Sequence, residues 1–295
     1  MIDTQPDIAQ NAKSDVYNGE FAWPTVIIGA VSTLSYFAVP FAVHAGIISL
    51  PVALALMTLL VYLAYTPMHE SVHRAVSGSH HESMTINEWI GRLTALVLAV
   101  PMIAHRHEHL AHHRYANDPE RDPDFAWASF SRAPVRATIT SLLSSYRFFL
   151  SPRHGKRSAA DIRIFWSELL AILGVRLAII SLTDPTTTLV LFIVSGLTGI
   201  LILGFLFSFM VHRPFTNIGR HLDTGTLIAP RPLNGLVTWL WMFQNYHSVH
   251  HLYPRVPFYR YRRVFEARGD EMMAAGSPVY RITLKGLQKI ERLHG

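Results

Sequence analysis

The chain has 295 residues, half of them hydrophobic and only 16% charged, with no cysteine and 17 histidines. So few charges, against roughly 25% in soluble domains, together with a mean hydropathy of +0.23, exclude an ordinary soluble globule, a disordered chain and a disulfide scaffold. The missing cysteines also exclude a thiolate nucleophile, a thiolate zinc site and an iron–sulfur cluster held by this chain alone. Metal or redox chemistry therefore falls to histidine and carboxylate.

Residues 1–22 read as a cytosolic tail. The first apolar stretch that follows begins late, is long and lacks a basic leader, as a membrane span does and a cleavable signal does not. Four runs of about 17–25 residues are long enough to cross a bilayer as helices. They cover Trp23 to Val43, Gly46 to Tyr65, Ile164 to Leu182 and Thr186 to Val211. The third stands apart because it contains Glu168 and Arg176. The links within each pair are short, around His44-Ala45 and Thr183-Asp184-Pro185, so two helical hairpins are expected. Two further apolar runs, Leu93 to Ala104 and Gly235 to Phe243, are too short to span and suit interfacial or re-entrant helices. Trp89, Trp239 and Trp241 accompany them, as expected near lipid headgroups.

Basic residues report the orientation. Residues 66–163 hold 12 Lys and Arg and residues 212–295 hold 12 more, with Lys13 in the tail and Arg176 inside a span. Both hairpin turns carry none, so 25 of the 26 lie on one face, which the positive-inside rule makes cytoplasmic in an inner or plasma membrane. The surplus of +6 is thus a topology signal that also favours anionic lipid, and nucleic acid is not an expected partner. In residues 281–294, Ile282, Leu284, Leu287, Ile290 and Leu293 stand among Arg and Lys, which predicts an amphipathic surface helix.

Three histidine clusters stand out. They are His69-Glu-Ser-Val-His73 after the second run, His105-Arg-His107-Glu-His109-Leu-Ala-His112-His113 after the Leu93 run, and His247-Ser-Val-His250-His251 after the Gly235 run. Spacings of three and four place side chains on one helix face. His69 and His73 align in this way, as do His109, His112 and His113, and His247, His250 and His251. The pattern H-x-x-H-H would arise by chance about 0.06 times in such a chain, yet it occurs twice. All three clusters fall on the cytoplasmic side of the expected topology. Eight imidazoles are too many for one ion, so two metals with open positions are expected. Histidine does not select the metal; oxygen activation on a lipid would favour iron, because zinc has no redox chemistry.

These boxes resemble those of the integral-membrane fatty acid desaturase superfamily, which includes acyl desaturases, β-carotene hydroxylases and ketolases. The run from His112-His113 through Asn117-Asp118-Pro119 to Asp122-Pro123-Asp124 is similar to the stretch after the second box in carotene hydroxylase-like members. Asn245-Tyr246-His247 through Pro254 and Pro257 resembles the third box and its sequel. The resemblance implies an all-α membrane protein with four transmembrane helices in two hairpins, interfacial helices and a cytosolic histidine-rich cap. It also implies a non-haem di-iron centre, dioxygen as oxidant, and electrons from a separate carrier such as ferredoxin or a cytochrome b5-type protein. The substrate would be lipophilic, a fatty acyl chain or a carotenoid, and the outcome a desaturation or a hydroxylation.

The implied metal ligands are His69, His73, His109, His112, His113, His247, His250 and His251, with a ninth histidine between the last span and the third box. His221, in Asn217-Ile-Gly-Arg-His221, has that placement, and Asn217 could reach the centre through water; His212, nearer the span end, is its rival. His105, one turn before His109, could be a ligand or an outer group. His80, His81, His107, His154 and His294 read as surface or loop residues. Asp118, Asp122 and Asp124 have two readings: turn chemistry before proline, or carboxylates that accept the second ring N–H of a ligand histidine. His69-Glu70-Ser-Val-His73 is also a literal H-E-x-x-H, in which Glu70 would be the general base of an intramembrane zinc protease. Such a protease would use two histidines and leave both H-x-x-H-H clusters idle. The domain plan is thus a tail (1–22), a membrane desaturase or hydroxylase domain (23–265) and an amphipathic C-terminal segment (266–295).

Overall fold

A computed structural model describes residues 17–292 of the chain. Most of the predicted tail, together with Leu293 and His294, lies outside the described residues. Four helices are long and apolar enough to cross a membrane: α1 (Trp23–His44), α2 (Leu50–Val72), α7 (Ala159–Leu182) and α8 (Pro185–Leu203), the last continuing to His212. Proline opens α1, α2 and α8 within their first two positions, where its missing N–H costs nothing. The hairpin turns fall at Ala45–Ser49 and Thr183–Asp184, as the short links predict. Leu34 on α1 and Leu170 and Leu177 on α7 are among the exposed apolar side chains, a surface that suits lipid rather than water. Helix α2 packs against both α1 and α8. Gly199 lets α2 and α8 approach closely, since a Cβ there would sit 2.4 Å from Val61 Cγ1.

Between the hairpins lie α3 (Met84–Leu98), α4 (Met102–Tyr115), α5 (Pro134–Leu142) and α6 (Ser144–Leu150). The apolar run from Leu93 to Ala104 is not one helix: it straddles a break at residues 99–101, across which the chain bends by 96°. Ala99 takes a left-handed conformation at the end of α3 (φ 55°), and Pro101 begins α4. Two charged residues of α7, Arg176 and Glu168, hold this break. Arg176 donates to the carbonyls of Leu96 (3.1 Å) and Val97 (2.9 Å) at the end of α3, and Glu168 accepts the Ile103 N–H (2.9 Å) at the start of α4. Arg92 completes an ion pair with Glu168 at 3.0 Å. Helix ends leave unpaired N–H and C=O groups, and here a spanning helix supplies their partners.

The cap continues through α9 (Met210–His212), β1 (Thr226–Ile228), α10 (Asn234–Leu240), α11 (His247–Leu252), α12 (Tyr261–Ala274), β2 (Val279–Thr283) and β3 (Gly286–Ile290). The helix predicted for residues 281–294 is a β-hairpin instead. β2 pairs antiparallel with β3 and parallel with β1, in register Thr226↔Val279. Val279, Tyr280, Ile282 and Thr283 favour a strand, and Gly286 supplies the positive φ of the turn (111°). The C-terminal segment is also continuous with what precedes it, because α12 runs through the expected boundary at residue 265. At the other end, Ala22 donates to Val76 O, Ser79 donates to Gly19 O, and Arg260 grips Glu20 through Nε and Nη2, both at 2.8 Å.

Candidate metal centre

Each histidine box sits at a helix segment that turns its rings inward. His69 lies in the last turn of α2 and His73 caps that helix; His105, His109, His112 and His113 belong to α4; His247, His250 and His251 belong to α11. A non-glycine residue in the left-handed region stands close to every box: Arg74 (φ 59°) follows the first, Asn117 (67°) follows the second, and Met242 (49°) and Phe243 (61°) precede the third. Such residues cost of order 1–3 kcal/mol each and persist where the surrounding fold over-determines them.

The rings assemble into two neighbouring groups. His69, His73, His109, His113 and His250 each present a nitrogen, all within 4.8 Å of one another, and His112, His212 and His251 form a second set by the same measure. His113 Nε2 lies 2.8 Å from His250 Nε2 and 3.0 Å from His109 Nε2, so three lone-pair nitrogens approach one point. His247 adjoins the second set, with its ring 5.1 Å from His212 and 4.8 Å from His251. The His113 and His251 rings stack at 4.2 Å, which places the two groups side by side.

These donors fit metal ions. His69 Nδ1, His73 Nε2, His109 Nδ1 and both ring nitrogens of His212 and His251 are buried without a hydrogen-bond partner. Buried polar atoms in a folded protein normally have partners, and a divalent cation would satisfy this set. In the third box, burial holds His247 down to about 3 and His250 and His251 well below the usual imidazole range. Neutral imidazole is the ligating form.

Around the rings lie groups that fix their orientation. Asp122 is one: its Oδ1 lies 2.9 Å from His112 Nδ1, and its Oδ2 accepts the Asn117 N–H at 2.8 Å. Asp118 is not: it is turned to Arg121, with Oδ2 2.7 Å from Nε, and to the backbone of residues 120–121. Asp124 stands 3.9 Å from His112, and burial holds its carboxyl well above the usual range, reinforced by Glu108. Asn217 offers its backbone carbonyl to Asn117 Nδ2 at 2.8 Å.

His221 is not among the gathered rings; it is part-exposed, and its Nδ1 faces Ser277 Oγ at 3.4 Å. The structure brings its rival His212 into the second group. Just before His212, the chain from Gly204 to Phe209 is a π-helix, which admits an extra residue and rotates everything after it by about 100°.

Sequence reasoning missed three contacts. Gln244 Oε1 accepts from His247 Nδ1 at 2.8 Å, Tyr261 Oη pairs with His250 Nδ1 at 3.0 Å, and Asn117 Nδ2 also donates to Asp223 O at 2.7 Å. The spacing of three from Gln244 to His247 was a usable signal; Tyr261 offered none. His105 stacks on His109 (5.3 Å) and turns Nδ1 to Glu108 (3.2 Å), which is also held by Ser144 and Ser145. His80 and His81 are exposed, and His107 and His154 lie towards the surface.

Glu70 faces away from the rings. Its carboxylate accepts from Thr25 Oγ1 (2.5 Å) and from the Phe258 N–H, locking α1, α2 and the loop after the third box together. A protease general base must reach a metal-bound water, and Glu70 is fully engaged elsewhere.

On the membrane side of the rings lies a cavity of about 90 Å³, walled by Tyr65, Leu98, Leu142, Ile200 and Phe207 among others. Tyr65 stacks on His69 at 5.5 Å.

The family model described as fatty acid desaturase matches residues 22–283. No curated protein matches the chain significantly.

Proposed function

Because this chain belongs to the fatty acid desaturase family, we propose that it is a membrane di-iron oxidoreductase that desaturates or hydroxylates a lipophilic substrate with dioxygen and externally supplied electrons. The observation that carries this proposal is the convergence of eight buried or half-buried imidazoles, five of them with a buried unpartnered nitrogen, from three distant boxes and one span end into two adjoining donor groups. His69, His73, His109, His113 and His250 would hold one ion; His112, His212 and His251, with His247 beside them, would hold the other. Two iron ions held there would supply dioxygen activation and the oxidation of an unactivated C–H bond.

The chain's own residues do the rest. Asp122, Gln244 and Tyr261 engage Nδ1 of His112, His247 and His250, which fixes each ring and leaves Nε2 to point inward. Tyr65, Phe207 and Leu203 keep water from the membrane side of the rings and offer an apolar surface to the substrate. A carbon lodged in that cavity lies one ring away from His69 and His109, through Tyr65 and His105. Fatty acyl chains and carotenoids both meet these requirements. The basic-rich face that carries the histidines is assigned to the cytoplasm, where a ferredoxin or cytochrome b5-type carrier would deliver electrons.

The test is expression in a host that makes β-carotene, with pigment and fatty-acid analysis and metal analysis of the purified protein. Two irons per chain and a new double bond, hydroxyl or keto group are expected. A single zinc, or no oxidised product of either class, would overturn the proposal.

A further inference from the structure

One side chain forms a wall of the cavity beside the histidines, and one glycine admits it. Trp127, in the short helical turn Phe125–Ser129, is only 4% exposed, and its six-membered ring lies directly on Gly204. A Cβ at Gly204 would fall 1.8 Å from Trp127 Cη2 and 2.1 Å from Cζ3, so no other residue fits at position 204 while the indole stays where it is. Gly204 opens the π-helical segment that ends just before His212, and Trp127 follows closely after Asp122, which holds His112. Both residues line the same cavity as Tyr65 and His105, the rings that stack on His69 and His109. Behind the indole stand Phe130, at 5.9 Å between ring centres, and the buried Phe209 and Phe215, so the wall is backed rather than free to swing outward.

The cavity lies against the gathered rings through Tyr65 and His105, and its volume of about 90 Å³ is less than the 150 Å³ or so of an engineered apolar cavity that accepts benzene. The indole is the largest side chain on the wall and the one seated against bare backbone. We propose that Trp127, laid across Gly204, is the specificity-determining wall of the site: it sets how far the substrate reaches past the two ions and so which carbon is oxidised. This rests on the oxidoreductase function proposed above. Hydrophobic pockets discriminate by about 10- to 200-fold per methylene gained or lost, so a change of several carbons' volume at this wall has a large readable effect.

The experiment compares wild type with W127L, W127F, G204A and the double variant G204A/W127L in the β-carotene-producing host. Product position, product size and iron content are read for each. W127L is expected to bind two irons and to shift the ratio of product positions, or of long to short substrates, about tenfold or more; W127F shifts it in the same direction by less. G204A displaces the indole into the cavity and lowers turnover at unchanged iron content, and adding W127L restores turnover with the W127L product pattern. An active wild type whose pattern is unchanged in W127L and W127F overturns the proposal, as does a W127L protein that has lost iron, which would make the indole a support for the centre. A wild type that oxidises neither pigment nor acyl chain removes the function and the proposal together.

Discussion

The most direct physical test of the fold is Glu168, a carboxylate inside a spanning helix that holds the start of α4. Replacing it with alanine removes the acceptor for the Ile103 N–H and the ion pair with Arg92. Loss of the cap and of the partner for a buried N–H costs about 2 kcal/mol. The ion pair adds about 1 kcal/mol, because the Arg92 side chain is 33% exposed and keeps Glu88 at 3.4 Å. Glu168→Ala is therefore expected to destabilise the protein by about 3 kcal/mol, while Glu168→Gln, which keeps a carbonyl acceptor, costs about 1 kcal/mol. Equilibrium unfolding in mixed micelles measures both, and a double-mutant cycle with Arg92→Ala isolates the pair. Activity should fall further than stability: α4 carries His109, His112 and His113 of the second box, and a displacement of about 1 Å can cost about 100-fold in rate. Equal stabilities for Glu168→Ala, Glu168→Gln and wild type, or zero coupling to Arg92, would refute the assignment of this carboxylate as the clamp of the bend.

Four further outcomes follow from the geometry. His212→Ala should lose turnover and about one of the two irons, whereas His221→Ala should keep both; metal analysis of the two purified proteins decides between them. Asp122→Asn should insert normally but bind iron about 10- to 100-fold more weakly, read by titration of the stripped protein, and unchanged affinity would remove Asp122 from its orienting role. Glu70→Gln should not abolish oxidation, since its carboxylate meets Thr25 and Phe258 rather than the rings; complete loss at unchanged stability would show that it acts in the chemistry. Arg260, hydrogen-bonded to Glu20, holds that carboxyl below its usual value. A depressed folded value means the contact contributes above the unfolded pKa of about 4.3 and is lost as pH falls through the folded one. Between neutral pH and about 4.5, unfolding of wild type and Glu20→Gln should run parallel, and below that the wild type should lose its advantage.

The spans were legible because length and apolarity are local properties: Trp23 to Val43 needs no partner to declare itself. The histidine boxes were legible for the same reason, since spacings of three and four specify one helix face. The ninth ring was not. His212 rather than His221 joins the gathered rings, at the end of a span that passes through a π-helical turn at Gly204–Phe209, which nothing in Gly-Phe-Leu-Phe-Ser-Phe marks. The C-terminal hairpin was misread because Ile282, Leu287 and Ile290 suit a helix stripe as well as a strand; the deciding partner, Thr226–Ile228, lies about fifty positions upstream. Glu168 and Arg176 looked like flaws in a span because the helix ends they satisfy belong to another part of the chain.

The bond between Glu70 and Phe258 joins positions 188 residues apart, and the five-ring group likewise draws on the ends of the second span, α4 and α11. During synthesis, the first box emerges and inserts long before the third exists. If the proposed di-iron centre forms, metal capture would therefore be among the last events of biogenesis, after both hairpins have entered the bilayer and nearly the whole polypeptide has left the ribosome. A nascent chain truncated before His247 would hold its metals weakly or not at all.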